Sequence, residues 1–456
     1  MYVPVLKYPQ GIEQVSQEFA DILNENQLEY FKKYLTGLTC SVNKTISGIN
    51  RLFVFDRRNQ SSFNRFFTAS PWDKTEINRG RLELLQREPH TRKKKKGIVI
   101  IDDTHNEKYG QQFEMIAKLY DHNKGYYHWA HDLVTAHYSD EKTDYPLGFR
   151  TYEQMDIEQA LSYLDGAGLA YDKEKLQSYR ASIQRQKIWK LLNKHQVDHP
   201  FVDKNDLACQ LIDEAFDNGY TAPIVFDSWF TVPKVLNHIE QKGQAYYYVG
   251  QLKANRNILV GNEWHHISAW AEQLVKDHQN PDHPQHRKIF RKTTFYFKGL
   301  KKSYWAFSKV IRISKLARKR VVISFKTAEL KGDPKFFVSN NKLWNAAKIL
   351  SIGRHRWPVE PFYEVSKGFL GLDKYELRDF TGIEKHWALV FLAYSIVKLQ
   401  NPDCIMRSGD DIQTTFGDGL RSLQQEVLLA LCAYCYEAGK QDVSFIELIE
   451  QLFSAS

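Results

Sequence analysis

Apolar positions change their period along the chain. From residue 1 to about 90 they recur at helical spacing among polar residues, in segments near 12–35, 45–52 and 60–67 joined by tight links, which predicts a helix-turn-helix-like unit. Gly97 to Ile101 (GIVII) is then a continuous β-branched run, the composition of a strand buried on both faces, and it ends in Asp102, Asp103 and Thr104. Strand-like stretches at 113–120 and 129–138, separated by the turn cluster Asp121-His122-Asn123-Lys124-Gly125, extend it into a three-stranded meander. Residues 153–219 return to helical spacing, most clearly in Lys204 to Phe216, with Asn218-Gly219 as the stop. A second short apolar run, Pro223 to Phe226, also ends in an acid, Asp227. A helix over 232–241 and a strand over 245–252 complete a βαβ unit, whose ligand-facing edge lies at the strand C-termini. Strict alternation returns in 293–297, 304–313 and 321–325 and predicts β-hairpins. Pro358 suits the first position of a further helix, which carries Glu360, Glu364 and Lys367 on one face at i, i+4 and i+7.

The fold class is therefore α/β, with two strands that each deliver a carboxylate to the lip of a sheet. The 456 residues exceed one ordinary domain. Pattern shifts divide them into a helical unit (1–90), a first core segment (91–252), a β-rich insertion (253–335), a second core segment (336–400) and a helical end (401–456). Hydrophobic residues at 43% and charged residues at 26% exclude long disorder and fibrous repeats. The apolar runs at 387–397 and 427–436 are too short or too interrupted to span a bilayer, so no membrane partner is expected. Met1 to Gln10 lacks the pattern of a secretory signal, and a cytoplasmic location is expected. Five scattered cysteines do not make a disulfide framework. Cys432 and Cys435 form a CxxC pair inside an apolar helical run and read as buried core thiols rather than a zinc or redox pair.

Charge sharpens the picture. The net charge of +9 favours a polyanionic partner. Arg92 to Lys96 is a basic run of the kind that usually lines a solvated linker. Residues 287–326 hold 14 Lys or Arg and no Asp or Glu, interleaved with aromatics. Hairpins with one basic face can follow a phosphate backbone, and Lys301, Lys302, Arg318, Lys319 and Arg320 are the candidates there. Most of the aromatics read as the inner face of the same sheet, with Trp305 a candidate for stacking on an unpaired base. In the first unit, Ser61, Ser62, Asn64 and Arg65 can meet phosphates, while Phe63, Phe66 and Phe67 read equally as the core side of an amphipathic helix.

A strand ending in Asp102, a strand ending in Asp227, a basic aromatic insertion and a helix bearing Glu360 together resemble the DDE transposases of bacterial insertion sequences. The closer resemblance is to the group whose last motif is Tyr, Arg, Glu, Lys. Arg356, Glu360 and Lys367 fit its Arg-x3-Glu-x6-Lys part, and Trp357 follows the Arg as it often does there. Gly353 stands where that group has its Tyr. The stretches 370–376 and 382–387 also look like the family, as does the leader FNRFFTASPW at 63–72.

The resemblance implies an RNase H-like core, an N-terminal DNA-binding unit and cut-and-paste DNA transposition by a nucleoid-associated bacterial enzyme. It implies Asp102, Asp227 and Glu360 as catalytic carboxylates, with Asp102 selected by the Asp-x-Thr pattern and Asp103 kept as a further or substitute metal ligand. Glu364 is the local competitor of Glu360. Carboxylates from distant positions need a cation to offset their repulsion, and hard oxygen donors choose Mg²⁺, with Mn²⁺ as a substitute. Two ions, one bridged by Asp102, are expected. Arg356 and Lys367 would hold phosphates beside the scissile bond. The expected partners are double-stranded DNA, as terminal inverted repeats and as target, and a second copy of the chain in a synaptic dimer.

Overall fold

The computed structural model describes residues 3–121, 124–401 and 415–453. It opens with helices α1 (Gln10–Gln17), α2 (Glu25–Cys40), α3 (Ile46–Asn50), α4 (Gln60–Thr68) and α5 (Lys74–Arg87). The side chains of Asn24, Thr45, Asn59 and Asp73 accept from the first-turn backbone of α2 to α5 and fix where those helices begin. The segment expected at 12–35 is thus two helices, broken where Asn24 and Gln27 form a capping box.

The strands β1 (Ile98–Lys108), β2 (Ala117–Asp121), β3 (Tyr126–Ser139) and β4 (Asp144–Tyr152) follow. β3 lies antiparallel to β1, β2 and β4. Within the expected turn cluster, His122 and Asn123 lie outside the described residues. β4 was not expected, because Pro146 and Gly148 argue against a strand. The ladder accommodates them with a register shift between Ala136 and His137, the latter facing Pro146.

Helices α6 (Ile157–Gly166), α7 (Lys173–Gln177) and α8 (Ala181–Lys194) make a small unit around its own core, including Leu164, Ile188 and Leu192. Then α9 (Lys204–Asp217), β5 (Ile224–Phe226), α10 (Pro233–Gln241) and β6 (Tyr248–Gln251) return the chain to the sheet, with β1, β5 and β6 parallel. The remaining strands are β7 (Asn257–Val260), β8 (Glu263–His266), β9 (Arg291–Phe297), β10 (Leu300–Ile313), β11 (Leu316–Phe325) and β12 (Lys335–Ser339), with α11 (Ile267–Gln279) between β8 and β9. Helices α12 (Ala346–Arg354), α13 (Val359–Gly368), α14 (Phe380–Gln400), α15 (Phe416–Lys440) and α16 (Phe445–Phe453) close the described chain.

The strands form a 12-stranded mixed sheet with the path β2-β3-β1-β5-β6-β12-β11-β10-β7-β8, β4 adding to β3 and β9 to β10. The run β4-β3-β1-β5-β6, antiparallel on one side and parallel on the other, is the RNase H-like arrangement, and helices flank it.

Two expected boundaries disappear. The basic hairpins are not a separate layer, because β12 pairs with β6 on one side and β11 on the other and makes them one sheet with the core. The first 90 residues are not a separate unit either. Phe63, Phe66 and Phe67 are fully buried in a core cluster that runs on to Val427. Tyr34 Oη bonds His386 Nδ1 at 2.8 Å, and Arg81 Nη1 donates to Ser395 Oγ at 3.0 Å, so α2 and α5 are fastened to α14. Helix α14 is buried on nearly every side, which explains its continuous apolar run. No helix among the described residues is long and apolar enough to cross a membrane. The expected core thiols of α15 are corrected too: Cys432 is exposed and Cys435 half-buried, because α15 buries its first half, through Leu420, Leu423 and Val427, and little beyond.

Candidate active site

The parallel pairing of β1 with β5 joins Val99 to Ile224, Ile100 to Val225 and Ile101 to Phe226. The next residue along each path is an acid, so Asp102 stands beside Asp227, roughly 4.8 Å being the usual strand spacing. Asp227 follows the end of β5, but β1 does not end at its acids as expected: it runs on to Lys108, because its outer half keeps pairing with β3. Asp227 Oδ1 accepts from the backbone N–H groups of Trp229 at 2.8 Å and Phe230 at 3.3 Å, and Thr231 Oγ1 donates to the Asp227 carbonyl at 2.6 Å. This tight turn holds the second acid in place after a strand of only 3 residues.

The third acid arrives with Arg356. Its Nη1 donates to Asp102 Oδ2 at 2.6 Å, and its Nη2 pairs with Glu360 one helical turn on. Arg356 thus ties the start of α13 to the end of the buried part of β1, and it also lies in the field of Asp227. Burial pushes the Asp102 carboxyl up to about 7; Arg356 opposes that shift, and the neighbouring Asp103 and Asp227 charges add to it. Glu360 is exposed, as is Glu364, but it is Glu360 that reaches the guanidinium.

Strand alternation separates the two adjacent acids. Asp103 faces the opposite side of β1, where Lys204 Nζ donates to its Oδ2 at 2.7 Å and also pairs with Asp132 of β3. Lys204 and Asp132 gave little sequence signal: one is an ordinary lysine beginning α9, the other a lone acid in the apolar run of β3. Tyr363 was also missed. Its hydroxyl lies 2.5 Å from Thr135 Oγ1, and burial together with the nearby Asp102 charge raises it far above the ordinary phenol range.

Several expected DNA contacts are placed otherwise. Lys367 Nζ turns inward and donates to Thr104 Oγ1 at 2.8 Å and to the His105 carbonyl at 2.7 Å, locking α13 onto β1. Lys319 is buried and paired with Glu240, because its position on β11 faces the helical side of the sheet. Arg320 Nε donates to the Lys342 carbonyl at 3.0 Å. Trp305 is half-buried against His278, opposite Phe325 in register, and so belongs to the packed face. Lys301 and Arg318 are exposed, Lys302 is half-buried, and the exposed Arg312 stands opposite Arg318 in the ladder.

The residues of this centre fit a hard divalent ion by donor chemistry: three carboxylates around one guanidinium leave a local surplus of negative charge, and every donor is oxygen. The carboxylates of Asp102, Asp227 and Glu360 stand wider than the tightest ligand-type sets. Among the described residues, the sets with all donor atoms within 4.8 Å of one another are Asp103, His105, Asp132 and His105, Asp121, His128.

Two family models match the chain, a DDE superfamily endonuclease over residues 18–263 and a transposase DDE domain over residues 196–396. Between them they contain all three acids. No curated protein matches it. Among solved structures, a cryo-EM structure of a piggyBac transposase synaptic complex with hairpin DNA is similar at 11% identity and a TM-score of 0.36, covering 97% of this chain and 81% of that one. The endonuclease model covers more than half of the sequence, and the chain belongs to the DDE superfamily endonucleases, as a DNA transposase.

Proposed function

We propose that Asp102, Asp227 and Glu360 are the catalytic carboxylates with which this transposase cuts transposon ends and joins them to target DNA. The observation that carries the reading is the β1–β5 register, which puts Asp102 beside Asp227, with Arg356 drawing Glu360 to the same place. DDE superfamily endonucleases use divalent metals, and the proposed ion here is Mg²⁺, with Mn²⁺ able to replace it. Asp102, Asp227 and Glu360 would hold such an ion, which would supply Lewis-acid chemistry at the phosphate.

The chain's own residues position the reaction. Water attacks the phosphorus at the element end, the bond to the 3′ oxygen breaks, and the freed 3′-OH then attacks a target phosphodiester, displacing a second 3′ oxygen. Arg356 has a fork suited to a phosphate once Asp102 and Glu360 take another partner. Lys367 acts indirectly, by fixing β1 against α13. Lys301, Arg312 and Arg318 form the basic surface proposed to follow the DNA backbone, and a homodimer holding both ends is the proposed working assembly.

The test is nicking of a labelled terminal-repeat duplex with added Mg²⁺. Asp227→Asn and Glu360→Gln should bind the duplex as the unmodified chain does but lose at least about a hundredfold in cleavage rate. Full cleavage by either variant refutes the assignment.

A further inference from the structure

On the face of β1 opposite Asp102, a second group of ligand-type side chains gathers. His105 of β1, His128 of β3 and Asp121 at the end of β2 each bring one donor atom within 4.8 Å of the others. The pairing of these strands explains the meeting. Ala130 of β3 stands opposite Glu107 on one side and Ala117 on the other, so on β3 only a methyl group separates His128 from the position facing His105, while Glu107 borders the pair from β1. His105 Nδ1 and His128 Nε2 hydrogen-bond each other at 3.0 Å, a shared proton that a bound cation would displace. Nitrogen ligands about 2.0–2.1 Å from one tetrahedral ion are separated by little more than that.

The far nitrogen of each ring backs onto a carboxylate: His105 Nε2 is 3.6 Å from Asp132 Oδ2, and His128 Nδ1 is 3.7 Å from Glu107 Oε1. These separations are too long for hydrogen bonds, but they place each carboxylate where a small shift would let it orient a metal-bound imidazole. His128 is only 7% exposed, and its Nδ1 has no hydrogen-bond partner, an unusual state for a buried polar atom. Asp121 Oδ1 accepts from the Lys124 backbone at 3.1 Å, which holds the carboxylate at the turn, while the Lys124 ammonium is drawn off by Glu107 at 2.6 Å. The overlapping set of Asp103, His105 and Asp132 is different, because the Lys204 ammonium already fills it.

We propose that His105, His128 and Asp121 bind one divalent ion of borderline softness, with Zn²⁺ the best fit, at a site separate from the three carboxylates. Two imidazoles and one carboxylate select such an ion over Mg²⁺. The site ties β2 and β3 to the strand that carries Asp102, and the His105 carbonyl, which accepts from Lys367, links it to α13. It does not depend on the assignment of the catalytic acids.

The full chain, stripped with a chelator and kept in excess Mg²⁺, would be titrated with Co²⁺ as a spectroscopic probe and then with Zn²⁺. We expect a visible Co²⁺ absorption band that saturates near about one equivalent and is displaced by Zn²⁺. The band should vanish in His128→Gln and in Asp121→Asn, with circular dichroism showing both variants folded, and persist in Asp227→Asn. Zn²⁺ should raise the melting temperature of the unmodified chain and not that of folded His128→Gln. A band absent from the unmodified chain, or one that survives both substitutions, overturns the site. So does a band lost in Asp227→Asn, since the ion would then sit among the catalytic carboxylates.

Discussion

Asp102 shows how one side chain can be tuned by its neighbours. Buried beside Asp103 and Asp227, its carboxyl is pushed from the ordinary 3.8 to about 7 despite the guanidinium of Arg356. Between those values the folded, metal-free chain holds a proton that the unfolded chain has released. The resulting stabilisation is fully present below the lower value and is lost as pH rises through the upper one. Metal-free protein should therefore melt at progressively lower temperature from about pH 4 to about pH 8, and Asp102→Asn should flatten that slope. Equal slopes in the two proteins would show that Asp102 ionises normally. Tyr363 offers a second check at this scale. Tyr363→Phe removes a buried hydroxyl contact with Thr135 and should cost about 1 kcal/mol in denaturant titrations.

The basic hairpin illustrates what a strand's alternation decides. Arg318 and Lys319 look equivalent in sequence, but adjacent strand residues face opposite sides, so Arg318 meets solvent while Lys319 meets Glu240. Lys319→Ala should lower stability by about 1–3 kcal/mol in denaturant titrations. Joint replacement of Arg312 and Arg318 by Ala should leave stability nearly unchanged and reduce the slope of log affinity for duplex DNA against log salt by about 1 per lost phosphate contact. An unchanged slope places the DNA elsewhere. Sequence pattern was sufficient for β5, α10 and α13, whose apolar runs or helix starts are self-contained, and for the start of β1. It ended β1 at the acids rather than at Lys108, because the polar outer half is held only by its pairing with β3. It missed β4, where a proline and a glycine sit in a strand that only its partner stabilises. It singled out Asp102, Asp227 and the helix with Glu360, but not Lys204, Asp132 or Tyr363, whose positions arise from pairings across the sheet.

For the whole molecule, the decisive feature is α14, which receives α2, α4 and α5 on one side and the sheet on the other. Removing residues 1–90 would expose the apolar surface now covered by Phe63, Phe66, Phe67 and their neighbours. The remaining chain should lose its near-ultraviolet circular dichroism and its cooperative unfolding. A shortened chain that melts sharply would show that the leader is an independent domain after all.

The pairing of β1 with β5 also determines where the gene can change length. Asp102 and Asp227 are neighbours through counting along two paired strands, not through nearness in the chain. Deleting one residue inside 98–101 or 224–226 would turn an acid to the wrong face while leaving the sheet nearly whole. By contrast, the helical excursion from α6 to α8 lies between the two acids with a core of its own, so it can lengthen, shrink or be exchanged without shifting either carboxylate.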